Sequence, residues 1–265
     1  MARFKVFIEY EGTRYSGWQV QQNARTVQGE ILDAMKKVFK TNDVELYGSG
    51  RTDAGVHALM QTAHLDVQTM LAPEIIRMKI NDELPADINI LEVEKASASF
   101  HARHDAVSRA YLYQISRRRT AFGKRYVWWI RENLNVAQMR EVSALFAGMK
   151  DLRSFTDTDP DETSTRVLVD RIEIAEAGSL ILVRVQGSHF LWKLVRRVVG
   201  VIVEAGKGRL TIDDVRRFLR EKSDAPARLT APPSGLFLEY VSYPGEGVAR
   251  PLQPVMHIAT MRTGK

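Results

Sequence analysis

Hydrophobic and polar positions alternate from the start of the chain. Phe4, Val6, Ile8 and Tyr10 fall on one side and Lys5, Phe7 and Glu9 on the other, the two-residue period of a partly buried strand. From Thr26 to Phe39 the period lengthens. Val27, Ile31, Ala34, Met35 and Val38 recur at helical spacing, and Thr26 stands where its hydroxyl can cap the first turn. Residues 61–67 alternate again. Residues 73–84 predict a helix with Pro73 near its start, where proline is tolerated, and residues 88–93 predict a strand. The order is strand, helix, strand pair, helix, strand.

The remainder varies that order. Residues 110–116 predict a strand and 136–146 a helix. Residues 170–176 and 180–186 predict a hairpin turning at Ala177-Gly178. An apolar helix follows over 191–205, a short basic one over 213–220, and a last strand over 236–243. Two α+β units in succession suggest a duplication with a cleft between them, although no sequence repeat supports it. The implied division is 1–105, 106–245 and a tail at 246–265. The tail is loosely patterned and expected to be partly disordered, and residues 157–163 have loop composition.

Composition narrows the class. No apolar run approaches the ~20 residues that cross a bilayer. No apolar leader core follows Met1-Ala2-Arg3, so a cytoplasmic protein without membrane contact is expected. Cysteine is absent, which excludes disulfides, thiolate nucleophiles and thiolate metal sites. The 6 histidines have no paired spacing that would build a zinc site. A net charge of +6 suits a polyanionic partner but does not identify one. Arg117-Arg118-Arg119, Lys124-Arg125 and Arg131, with Tyr126, Trp128 and Trp129 between them, mix cations with stacking faces as RNA-binding segments do. A solvated basic loop beside a core tryptophan would read the same way.

Candidate chemistry concentrates in Gly48-Ser49-Gly50-Arg51-Thr52-Asp53-Ala54-Gly55-Val56-His57-Ala58. Glycines around an Arg, an Asp and a His make a tight loop that a ligand can approach closely. By itself the run is equally a turn in which Asp53 caps its neighbours. Phosphate cradling fits poorly, because the Gly-Lys-Ser/Thr ending is missing and an aspartate repels phosphate.

The block resembles the catalytic loop of the tRNA pseudouridine synthase A family, in which the aspartate is the essential carboxylate. Other blocks agree in the family's order. Tyr10-Glu11-Gly12-Thr13-Arg14-Tyr15-Ser16-Gly17-Trp18-Gln19-Val20-Gln21 is similar to its opening motif, and Thr26-Val27-Gln28-Gly29 to its first helix start. Phe100-His101-Ala102-Arg103 and Arg109-Ala110-Tyr111-Leu112-Tyr113 resemble the strand bearing its tyrosine. Thr165-Arg166 resembles the stretch supplying the aspartate with a basic partner. The run from Phe190 to Gly200 is similar to its late helix, and Ala231-Pro232-Pro233-Ser234-Gly235-Leu236 to the lead-in of its last strand.

The resemblance implies two ferredoxin-like halves forming an extended, mostly antiparallel sheet with a basic active-site cleft. It further implies an isomerase acting as a homodimer on tRNA, at anticodon stem-loop uridines expected at tRNA positions 38, 39 and 40. Pseudouridine formation breaks the N1–C1′ bond, turns the uracil and rejoins it through C5. No atom is gained or lost, so no cofactor is expected. An ionised carboxylate is needed at the sugar, either as nucleophile at C1′ or as base on the 2′ proton, and Asp53 fits both. Arg166, by resemblance, keeps that carboxylate ionised; alone it would read as a surface ion pair. A paired uridine must be extruded from its stem, and Arg51 either fills the vacated space or holds the flipped nucleotide. Tyr111 stacks on the uracil, sets its hydroxyl where the C5 proton leaves, or is a packed strand tyrosine. His57 and His101 either contact phosphate or are buried and hydrogen-bonded. Arg196 matches the family's arginine and would reach the floor of the site, whereas Arg197 reads as a solvent-facing charge.

Departures from the family pattern are Lys150 where histidine is usual, Leu152 where phenylalanine is usual and Leu194 where methionine is usual. They touch support or RNA contact more than the catalytic set. A non-catalytic tRNA-binding or chaperone protein of the same fold is the alternative, disfavoured because Asp53, Arg51, Tyr111 and Arg166 are all present. A metal-dependent nuclease would need a carboxylate cluster that the sequence lacks.

Overall fold

The alternation at the start of the chain becomes strand β1 (Ala2–Tyr10), with Phe4, Val6, Ile8 and Tyr10 all buried. The computed structural model describes residues 1–157, 164–246 and 250–258, and among these it holds ten strands and six α-helices. They form two units. One comprises Met1–Val107 and the stretch beginning at Phe237; the other comprises Ser108–Leu236 and the last described stretch.

In the first unit the helical pattern is realised as α1 (Val27–Phe39). The Thr26 hydroxyl accepts the Gly29 amide at 3.2 Å, and Val27, Ile31, Ala34 and Met35 are buried. A cap of this kind contributes about 1 kcal/mol by satisfying an amide that the helix leaves unbonded. The expected strand pair is β2 (Val44–Gly48) and β3 (His57–Val67), followed by α2 (Pro73–Glu83) and β4 (Ile88–Lys95). β1 runs antiparallel to β3 on one side and β4 on the other, and β2 is antiparallel to β3. Asn81 fastens α2 to the sheet. Its amide donates to the Ile90 carbonyl at 2.9 Å and its oxygen accepts the Ile90 N–H at 2.7 Å. β3 is buried along most of its length, so it begins four residues before the alternating run at 61–67 that announced it. A strand buried on both faces loses its two-residue signal.

The second unit opens with β5 (Ser108–Ser116), beside which the short β6 (Trp128–Trp129) runs parallel. Then come α3 (Val136–Ala144), β7 (Gly148–Asp151), β8 (Arg166–Ala177) and β9 (Leu180–Gly187). The strands order β5-β9-β8-β7 and every neighbouring pair in that run is antiparallel. The hairpin turns at Gly178 as expected. The Gly148-to-Leu152 stretch that departs from the family pattern forms β7 and the residue after it. There Leu152 is fully buried, so it acts in the core. Of the expected loop at 157–163, residues 158–163 lie outside the described residues.

Helix α4 (Leu194–Gly206) starts three residues later than its apolar pattern suggests, because Lys193 has a left-handed backbone, φ 60° and ψ 1°, which no helix can continue through. Arg197 corrects an expectation. It is 4% exposed, not solvent-facing, and its guanidinium donates to the Asp157 carboxylate. Buried apolar residues surround it on α4, and an arginine there is tolerated only with a paired carboxylate. After α4 come α5 (Ile212–Arg220), started by a Thr211–Asp214 capping box, and α6 (Ala225–Arg228).

The last strand, β10 (Leu236–Ser242), joins the first unit through parallel pairing of Phe237 with His57 and Leu238 with Ala58. The division of the chain is therefore not a single cut near residue 105. Of the tail, residues 247–249 and 259–265 lie outside the described residues. Over its described residues it is fastened to the second unit, where Arg184 donates to the carbonyls of Arg250 (2.9 Å) and Pro251 (3.0 Å) and Gln114 accepts the Val255 amide (2.7 Å). No helix among the described residues is long and apolar enough to cross a membrane.

Gly200 offers a test of the packing of α4. A Cβ built there would lie 1.7 Å from the Leu229 carbonyl oxygen. Alanine is the better helix former by about 1 kcal/mol, but the obstacle is backbone that cannot swing aside. Gly200→Ala is expected to lower stability by roughly 1–3 kcal/mol in denaturant titration, and a gain in stability would show that the two segments separate easily.

Candidate active-site loop and its surroundings

Asp53 sits in the loop between β2 and β3, half-buried, with Arg51 exposed beside it. The residues of the opening motif hold this loop. Trp18 N–H donates to the Thr52 carbonyl at 3.1 Å and Gly55 N–H to the Tyr15 carbonyl at 3.4 Å. Gly17 makes the approach possible. Its φ of 93° is strained for any side chain, and a Cβ there would sit 2.6 Å from the Thr52 oxygen. Below, the Tyr10 and Thr52 hydroxyls bond at 2.8 Å, and Trp18 is 1% exposed against the Gly48 backbone. Ser49 donates to Gln61 Oε1 at 2.7 Å, and Gln61 returns a bond to the Gly50 carbonyl at 3.0 Å. Within the loop, Val56 N–H closes a turn on the Asp53 carbonyl at 3.1 Å.

His57 is 1% exposed. Its Nδ1 accepts the Gly12 N–H at 3.0 Å, and its ring stacks on Phe237 with centroids 4.8 Å apart. An accepting Nδ1 puts the proton of the neutral ring on Nε2. Of the two roles open to His57, this geometry is that of a buried, hydrogen-bonded post beneath the Asp53 loop.

Tyr111, Arg166 and Arg196 belong to the second unit. Tyr111 lies on β5, 9% exposed, and meets the Phe190 ring edge-on at 5.3 Å. Arg166 is exposed at the first position of β8, opposite Asp151. The neighbouring Thr165 donates to Asp151 Oδ1 at 2.6 Å. Burial pushes the Asp151 carboxyl up, but hydrogen bonds from Thr165 and Arg153 outweigh it and hold the group below its ordinary range. Arg196 is half-buried on α4; its Nε donates to the Ala231 carbonyl at 2.8 Å, and Ala231 N–H donates back to the Arg196 carbonyl at 3.1 Å. The predicted loop and Arg196 are thus each built into firm local structure within their own units, whereas Arg166 stands exposed at a strand start.

His101, the other histidine weighed for phosphate contact, belongs to a cluster around His64 of β3. Its ring lies 4.7 Å from His64 and 4.2 Å from His104, and Tyr47 stacks on His64 at 5.1 Å. His101 Nδ1 accepts the amides of Arg103 and His104, while His64 Nδ1 accepts that of Ala102 at 3.1 Å. These bonds fasten the segment after residue 100 to β3.

Comparison with known proteins places the chain among enzymes that rearrange uridine within RNA. The family model described as tRNA pseudouridine synthase matches residues 6–105 and 142–244. The proteins named tRNA pseudouridine synthase A from Exiguobacterium sibiricum, Afipia carboxidovorans and Pseudothermotoga lettingae are 39%, 37% and 36% identical to it; each alignment covers 92% of this chain and 98%, 100% and 100% of the respective relative. The chain belongs to the tRNA pseudouridine synthase family, a family of isomerases. Among solved structures, the archaeal box H/ACA sRNP Nop10–Cbf5 complex is similar over 84% of this chain and 60% of that one, at 13% identity and a TM-score of 0.36, a loose likeness.

The histidine cluster makes stability depend on pH. Burial first, then the nearby Arg3 and His101 charges, lower the His64 pKa to about 4. Unfolded, the ring titrates near 6.5. Between these values the unfolded chain binds a proton that the folded chain refuses, so stability falls as pH drops through 6.5 toward 4. By that arithmetic His64 accounts for a loss of about 2 kcal/mol at pH 5 relative to pH 8. Denaturant titrations at the two pH values should show a smaller loss in His64→Gln than in the parent; equal losses would mean that the ring charges freely.

Proposed function

We propose that the chain converts uridine to pseudouridine in the anticodon stem-loop of tRNA, at positions 38 to 40, with Asp53 as the catalytic carboxylate. The observation that carries this reading is the loop itself. Asp53 is held half-exposed by backbone contacts to Tyr15 and Trp18 and by the buried Tyr10–Thr52 hydroxyl pair. Such preorganisation is what a carboxylate needs to meet a sugar carbon at a fixed distance and angle. Family membership supplies the reaction, and the names of the relatives supply the tRNA.

In this reading the Asp53 carboxylate attacks C1′ or removes the 2′ proton as the N1–C1′ bond breaks. The freed uracil turns and C5 bonds to C1′ as the Asp53–C1′ ester bond breaks or, in the other route, as the 2′ proton returns; C5 then loses its proton and N1 takes one up. Base and sugar remain on the same strand, so the atoms balance without a co-reactant. Arg166, as the family resemblance implies, supports the ionised state of Asp53, since a guanidinium partner favours the charged form. Tyr111 meets the uracil, with Phe190 setting the plane of its ring. Arg51 occupies the space the extruded nucleotide leaves in the stem. Arg196 forms part of the floor, oriented by its bond to Ala231. These residues act on one uridine in a basic cleft, and His57 supports the loop from below. The protein works in the cytoplasm as a homodimer that grips tRNA with both subunits.

Asp53→Ala is the test. Pseudouridine mapping of unmodified tRNA transcripts should show turnover reduced by a factor on the order of 10²–10⁴ or more, with tRNA affinity nearly unchanged. Undiminished turnover in the variant would overturn the role of Asp53. Tight tRNA binding by a wild-type protein that makes no pseudouridine would instead indicate an RNA-binding protein of the same fold.

A further inference from the structure

Trp192 is out of place for its residue type. Tryptophan is highly buried on average, yet here the side chain is 56% exposed. It is also held firmly. The Thr156 hydroxyl donates to the Trp192 carbonyl at 3.1 Å. Lys193 takes the left-handed conformation, φ 60°, that lysine rarely adopts, and its ammonium donates to Asp157 at 3.1 Å. Asp157 is in turn gripped by the buried Arg197. That ammonium also lies 4.1 Å from the centroid of the Trp192 ring. Backbone strain maintained by this much surrounding structure concentrates at functional positions.

The segment also leads to the proposed site. Phe190, two residues earlier, packs edge-on against Tyr111 within the same unit. An exposed indole on a firmly held backbone, with a cation at one face, provides a platform on which any nucleobase can stack, with a charge placed for the adjoining phosphate. We propose that Trp192 stacks on a nucleobase of the bound RNA flanking the target uridine, with Lys193 neutralising a neighbouring phosphate. The inference rests on the function proposed above, because it takes the RNA to be the substrate that Tyr111 meets. Stacking on an aromatic does not depend on base identity, so this contact anchors the strand without selecting its sequence.

The experiment compares wild type, Trp192→Ala and Trp192→Phe on an unmodified tRNA transcript, measuring tRNA affinity by filter binding and kcat and KM for pseudouridine formation. Sedimentation at the same protein concentration reports oligomeric state, and circular dichroism reports folding. Trp192→Ala is expected to weaken binding and raise KM by about 5- to 100-fold, and Trp192→Phe to restore most of both. Tryptophan fluorescence quenched by tRNA in the wild type should be quenched less in Trp192→Phe. Wild-type affinity in Trp192→Ala would overturn the proposal. So would a Phe variant as weak as Ala, or a change of oligomeric state with KM unchanged, which would assign the ring to a protein contact. If the wild type binds tRNA and makes no pseudouridine, the function reading fails, while the affinity comparison still decides the stacking.

Discussion

The backbone around Gly17 runs hard against that of Thr52 and Asp53, with the Trp18 N–H donating to the Thr52 carbonyl at 3.1 Å. Two chain segments separated by more than thirty residues in sequence come this close only where one of them lacks a side chain. The rest of the first unit can be understood as holding that contact. β1 ends in Tyr10, whose hydroxyl meets Thr52; Gly48 leaves room for Trp18; and β3 begins with His57, which takes the Gly12 amide. A loop so tied holds its carboxylate in one place, and no further ordering entropy is lost when that group is used.

The second unit solves a different problem, which is how to keep charged groups near an apolar helix. Helix α4 buries most of its side chains, including the Arg197 guanidinium. Asp157 resolves the conflict. Its hydrogen bond with Arg197, above all, holds the carboxyl below its ordinary pKa despite the cost of partial burial, and Lys193 adds a second donor. Removing Asp157 would leave a buried cation alone, which is the expensive way to break such a pair.

Much of this was legible in the sequence, for reasons that differ by element. β1 and α1 announced themselves because each has one face apolar and buried, and because Thr26 stands in the position of a cap. β3 and α4 gave weaker boundaries. The first is buried on both faces, and the second is interrupted by a lysine whose backbone angle no pattern encodes. Asp53 stood out through its glycines, yet the service of Tyr10, Gly17 and Trp18 to that loop is a long-range fact. The burial of Arg197 was illegible for the same cause, since its partner lies 40 positions away in the chain. The anchoring of Arg250 and Pro251 was equally hidden, because Arg184 binds their carbonyl oxygens, and main-chain acceptors leave no trace in side-chain patterning.

The late return of β10 has a consequence for how the protein comes into being. The N-terminal end of β3, at His57 and Ala58, finds its parallel partner only in Phe237 and Leu238, and the His57 ring finds its stacking surface in Phe237. A ribosome delivers residues in order, so the floor beneath Asp53 stays unfinished until nearly nine-tenths of the 265 residues exist. Until then the open end of β3 presents unpaired main-chain groups of the kind that recruit a foreign strand. Neither unit is a continuous stretch of chain, and no truncated translation product that stops before residue 237 carries the Phe237 ring that stacks on His57. The topology thereby ties the support beneath the candidate loop to a late stage of synthesis.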